Sequence, residues 1–326
     1  MPDPVPDPVP DPVPDPVPDL VPGLVRRRPA GAPVAAPVGP HPLRGLVTLD
    51  GVAAAVDDAR RACEELRWHR ALRRQWPVAR AESGVRAAHA SAEVDGVRVP
   101  LGDVRDVARG AAAAPSGPAG GTLLGALRAQ AEVERIMVAP GATQGRGLPF
   151  AQLLARVHLA AVGAPAGDDA AGGAVGRPRG DGDVPGDLHG LGPAPDAVEV
   201  AERLRVLAEV VDAPPAADVP ALVVAAVAHG EVLALRPFAH GNGLVARAVF
   251  RHLLTAGGVD PVGVVVPDVR WAREPLVYVS TAARFATGTP DGVAAWLAYC
   301  ASSVRAGAEE GRRVADAVLA GRLTGA

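Results

Sequence analysis

The stretch RPFAHGNGLVAR, Arg236 to Arg247, holds the residue types best suited to chemistry in this 326-residue chain. Its centre, Gly241-Asn242-Gly243, has the composition of a loop turning into a helix. Glycine adopts positive φ and lets other groups approach the backbone closely. Asparagine tolerates left-handed geometry. Successive amides in such a turn form an anion-binding nest, and the positive end of the following helix faces the same spot. Arg247, one turn into that helix, adds a planar fork suited to phosphate or carboxylate. The expected ligand is therefore an anion with several oxygens. Of the nearby histidines, His240 lies in the loop and is the one expected to face the nest. His229 and His252 fall on the helices before and after it.

Two helices must position this junction. Asp218–Leu235 is apolar and helical, and Pro237 disfavours helical geometry at Arg236, so the helix stops there. Pro237–Gly241 is then a loop, and a new helix runs over Gly243–Ala256. Apolar periodicity and N-cap residues predict further helices over Val52–Gln75, Arg80–Ala92, Leu101–Ala114, Leu123–Val138, Pro149–Val162 and Asp196–Val211. The same signals give Arg270–Thr287, Thr289–Ala306 and Ala308–Leu319. Gly163–Pro195 is rich in Gly, Pro and Asp and reads as a long loop with a hairpin. VGVVVP, Val262–Pro267, is the one other strand-like run. The fold class expected is mainly α with a small β-hairpin.

Ahead of the helices, residues 2–17 repeat PDPV four times. Proline at every second position excludes helix and sheet pairing and favours an extended polyproline arm. The expected organisation is a Pro-rich disordered arm over 1–42, an N-terminal helical region over 43–115 and a core over 116–326.

A net charge of −3 and a pI near 6.2 lack the basic excess of a general nucleic-acid or anionic-membrane binder. No apolar run approaches the roughly 20 residues that span a bilayer, and the N-terminus does not read as a secretory signal. Two cysteines, Cys63 and Cys300, are too few for a disulfide framework or a zinc site. A cytoplasmic location is expected. The chain has no lysine and a single isoleucine, the composition of a GC-rich genome. Its single asparagine is Asn242, inside the nest.

The stretch resembles the signature of Fic (Fido-domain) proteins, H-x-F-x-D/E-G-N-G-R-x-x-R. PPAADVPALVVAAVAHGEVLALRPF resembles the helix that leads into that loop. VYVSTAARFATGTPDGVAAWLAYC (Val277–Cys300) resembles the family's later helices, and Gly176–Gly190 its flap over the target. The resemblance covers roughly Asp50–Ala306. It implies a helical Fic fold with a β-hairpin flap, and transfer of AMP from Mg²⁺-bound ATP to a hydroxyl of a protein target.

Several roles do not carry over. The family's histidine, the general base, is Arg236 here, and a guanidinium stays protonated and cannot accept the proton. The acidic Mg²⁺ ligand is His240, and imidazole suits that hard ion poorly. The first phosphate-binding arginine is Leu244. Phe238 matches the loop's apolar anchor, while Gly241, Asn242, Gly243 and Arg247 match the anion-binding half. Ser91-Ala-Glu-Val-Asp95-Gly96 resembles the family's inhibitory segment, S/T-x-x-x-E-G/N, whose glutamate pairs with the second arginine. Asp95 is therefore expected to reach Arg247.

The resemblance with these departures implies a pseudoenzyme that keeps a site for ATP or another nucleotide, without firm support for Mg²⁺. The alternatives are an active adenylyltransferase with a substituted base, such as His240, and a helical protein-binding scaffold. A protein partner or target is expected, and no nucleic acid or membrane. A DNA-binding module after the core is not expected.

Overall fold

The computed structural model describes residues 41–142, 147–163 and 175–323. Apart from its last two residues, the expected arm over 1–42 lies outside them.

The fold is helical throughout the described residues. Helix α1 (Arg44–Val47) leads into α2 (Val52–Arg67), which buries Val52, Val56, Ala59, Cys63 and Leu66 at helical spacing. The predicted helix to Gln75 breaks at Trp68–His69. There the His69 imidazole accepts the Ala71 N–H and starts a 3-10 turn over Arg70–Arg73. Pro77, in the first turn, opens α3 (Trp76–Val94), where proline costs no hydrogen bond. Then come α4 (Leu101–Ala108), α5 (Gly117–Ile136), α6 (Phe150–Val162) and α7 (Ala197–Val211). Asp196 caps α7, its carboxylate accepting the Glu199 N–H at 2.8 Å.

Helix α8 (Ala221–Leu235) is apolar on every side and buries twelve of its fifteen residues, as a central core helix must. It packs on α9 (Asn242–Ala256), α11 (Pro275–Ala286) and α12 (Pro290–Leu319). The predicted Arg270–Thr287 helix is two pieces, α10 (Asp268–Arg273) and α11, because Pro275 starts a new helix. The predicted break at Gly307 is absent, and α12 runs unbroken for 30 residues. Gly307 and Gly311 are instead where Val264–Pro267 crosses that helix. A side chain at 307 would meet the Val266 carbonyl carbon at 2.6 Å, and one at 311 the Val264 oxygen at 2.6 Å. The strand-like VGVVVP is this crossing.

The expected β-hairpin is not there: the described residues contain no strand. Within the flap there is only a turn, Asp183 N–H to Gly180 O at 3.1 Å, and its longer-range backbone bonds go to the motif loop. Arg179 N–H donates to Pro237 O at 2.7 Å, and Gly186 N–H to Ala239 O at 2.8 Å. Pro178 and Pro185 lack the N–H a ladder needs, and four glycines between 176 and 186 remove cross-strand side chains. No helix of the described residues is long and apolar enough to cross a membrane.

Candidate functional site

The site lies where the end of α8 meets the start of α9. The chain leaves α8 through Arg236, whose backbone is left-handed at φ 45° and ψ 62°. Among the described residues only Arg236 and Leu188 are non-glycine with positive φ, and both lie at this junction. Such geometry costs about 1–2 kcal/mol per residue, so neighbouring contacts must hold it. The loop then closes on itself through Asn242. Its side-chain oxygen accepts the Phe238 N–H at 2.9 Å, and its amide donates to Phe238 O at 2.8 Å. Gly241, at φ 79°, sets the N-terminus of α9.

The nest is already occupied by the protein's own carboxylate. Asp187 of the flap accepts the Asn242 backbone N–H at 2.8 Å and its side-chain amide at 2.7 Å. A helix N-terminus favours such an anion. From the other side, Arg236 turns its guanidinium to the flap. It donates to Gly192 O and Pro193 O at 2.8 Å each, and more weakly to Leu188 O at 3.4 Å. The side chain is 3% exposed. Burial, and then the nearby Arg179 guanidinium, lower its pKa from the ordinary value.

Two further residues tie flap to loop, and neither stood out in the sequence. Arg179 caps the carbonyl end of α8, donating to Arg236 O at 2.9 Å and Leu235 O at 3.3 Å, and also to Pro195 O. A cation there complements the negative end of the helix. His158 of α6 stacks on Phe238 with ring centres 3.8 Å apart. Its Nδ1 accepts the Gly176 N–H at 2.9 Å while Nε2 donates to His240 O at 3.1 Å. Acceptance at Nδ1 needs the neutral ring with its proton on Nε2, and burial lowers its pKa to about 4. Both residues bond backbone atoms, and no residue spacing announces such contacts.

Arg247 does not line the surface of the nest. It is fully buried beneath it. Its Nε donates to Ser91 Oγ at 2.7 Å, and Nη2 to Asp95 Oδ2 at 2.7 Å and Ser91 O at 3.2 Å. Gly96 makes the turn after α3 at φ 87°. The SAEVDG segment and the motif thus meet across 152 residues. Burial alone would lower the Arg247 pKa, but Asp95 chiefly, with Tyr278 and Asp268, carries it upward. Nη1 has no partner, and a side chain at Gly243 would meet it at 3.0 Å.

The remaining positions scatter. Leu244 is buried toward α5, its Cδ1 3.1 Å from where a side chain at Gly125 would begin. His229 is in the core, its Nε2 2.8 Å from the Tyr278 hydroxyl. His252 lies ten residues along α9. His240 alone of these histidines is exposed at the loop.

A nucleotide phosphate reaches the Asn242 N–H only by displacing the Asp187 carboxylate. Among the described residues no three His, Cys, Asp or Glu stand together to hold a metal. As it stands, the site can hold a carboxylate, and it holds its own.

No family model and no curated protein matches the sequence. Solved structures do match the fold. A Fic family protein from Desulfovibrio desulfuricans superposes with a TM-score of 0.59 at 17% identity, covering 83% of this chain and 76% of that one. Fic-1 from C. elegans gives 0.56 at 18% identity, covering 83% and 74%. A Fic domain containing signaling protein from Bacteroides thetaiotaomicron gives 0.52 at 12% identity, covering 80% and 98%. The chain has the Fic fold.

Proposed function

We propose that this Fic-fold chain is a pseudoenzyme: a binding protein that keeps the family's anion-binding loop and does not transfer AMP. The observation that carries the reading is the state of Arg236. It stands at the base position, it cannot take a proton from a hydroxyl, and its guanidinium is committed to backbone carbonyls of the flap. Leu244 facing the core and His240 in place of a carboxylate support the same reading. A phosphate-bearing ligand at Gly241–Gly243, a nucleotide among them, and a protein partner are the proposed contacts. Ser91, Asp95 and Gly96 then serve to hold Arg247 under the nest. A reducing cytoplasm suits the two buried free thiols, Cys63 and Cys300.

Incubation with labelled ATP and Mg²⁺ tests this. The expected result is no labelled adduct on the chain or on proteins of a lysate. Adducts that disappear in Arg236→Ala or His240→Ala would overturn it and make the chain a transferase with a substituted base.

A further inference from the structure

The flap and the motif loop hold each other by reciprocal side chains. Asp187 reaches from the flap to the amides of Asn242. Arg236 reaches from the loop to the carbonyls of Gly192 and Pro193. Between them run two single backbone bonds, Arg179 N–H to Pro237 O and Gly186 N–H to Ala239 O. No ladder continues the pairing. Arg179 adds side-chain bonds to Arg236 O and Leu235 O, and His158 bridges Gly176 and His240. The contact is made of discrete bonds, and it can be undone without unfolding a sheet.

We propose that this is a latch, in which Asp187 is a tethered competitor for the anion site and Arg236 has become the clamp that keeps it there. The ligand class is a phosphate-bearing anion, which must displace the Asp187 carboxylate to reach the Asn242 N–H. The inference rests on the anion-binding reading above and adds its regulation.

Two observations besides the helix end point to a ligand. The place is already filled by an anionic group making two hydrogen bonds of 2.7–2.8 Å. Arg247 Nη1 lies fully buried and unpartnered under Gly243, in the first turn of α9. The Arg247 guanidinium, paired with Asp95 and with Tyr278 and Asp268 near it, thus sets a positive group beneath the nest.

A closed state weakens apparent affinity by the inverse of the open fraction. If the latch is closed more than about ten to one, removing Asp187 should tighten anion binding by about tenfold or more. The experiment is calorimetric titration of the full chain with inorganic pyrophosphate, and separately with inorganic phosphate. Wild type, Asp187→Ala and Asp187→Asn are compared, with hydrogen exchange followed over residues 175–193. Asp187→Asn keeps the shape without the charge, and carries the test if Asp187→Ala does not fold.

The expected result is binding at least tenfold tighter in Asp187→Ala, a smaller gain in Asp187→Asn, and faster exchange of the flap in both. Pyrophosphate should also speed flap exchange in wild type. Equal binding by wild type and both variants would overturn the latch and leave the anion site standing. Faster flap exchange without anion binding in any variant would overturn the anion site, and with it the competition.

Discussion

At the scale of single residues, Arg247 shows what the junction demands. A fully buried guanidinium is tolerable only with partners, and Ser91 and Asp95 supply them. Removing one partner leaves a buried charge uncompensated. Breaking a fully buried pair costs about 3–5 kcal/mol. The Asp95 side chain is 29% exposed, so Asp95→Ala should lower unfolding free energy by less than that, on the order of 2 kcal/mol. Ser91→Ala, which removes a hydroxyl acceptor, should lower it by about 1–2 kcal/mol. Urea denaturation followed by circular dichroism measures both, and an unchanged midpoint for Asp95→Ala would show that the pair contributes nothing. Ser91, Asp95 and Arg247 were legible in the sequence because the two segments carry recognisable spacing. Asp187, Arg179 and His158 were not. Arg179 and His158 bond backbone atoms, and Asp187 bonds both the backbone and the side chain of Asn242; these partners come together only in the folded chain.

Among the elements, glycines account for much of what sequence reading placed wrongly. Gly307 reads as a helix break, yet it lies inside α12 because the Val264–Pro267 crossing needs the space. Gly230 interrupts an apolar run in the sequence and is buried in α8. A side chain there would meet Phe285 at 2.6 Å and Trp296 Nε1 at 2.7 Å, and that indole donates to Ala226 O. Glycine to alanine inside a helix ordinarily stabilises by about 1 kcal/mol. Here overpacking should reverse the sign, and Gly230→Ala should destabilise by about 1–3 kcal/mol. A raised thermal midpoint for that variant would contradict the packing described. The strong amphipathic helices, α2, α6 and α7, were legible from periodicity because one face meets the core. The flap was read as a hairpin from its turn residues, but those prolines and glycines prevent the pairing a hairpin needs.

Across the whole molecule, buried titratable groups tie stability to pH from both sides. Burial raises the Asp268 carboxyl to about 7 against the opposing pull of the Arg247 guanidinium, and no side chain donates to either oxygen. The folded state thus keeps this proton longer than the unfolded chain, which releases it near pH ~4. The stabilisation is complete below pH ~4 and is lost as pH rises toward 7. His158 and His252, both lowered to about 4 by burial, act in the opposite sense. Their stabilisation is complete above pH ~6.5 and is lost as pH falls toward 4. Comparing wild type with Asp268→Asn isolates the first effect, since the histidines are common to both. The stability of wild type relative to the variant should fall by on the order of 3–4 kcal/mol between pH 4 and 7. A difference independent of pH would mean that the carboxyl ionises normally in the core. The overall helical class was legible because helix propensity and periodicity are local. The pairing of α3 with α9 is not local, and only the resemblance of two short motifs pointed to it. That pairing also sets a timetable. Ser91 is synthesised 156 residues before the Arg247 that it will hold. At roughly 5–20 residues per second, α3 waits about 8–30 s for its partner. The residues of α3 that end buried are mostly alanine, serine and glycine, a surface with little to offer to passing hydrophobic chains.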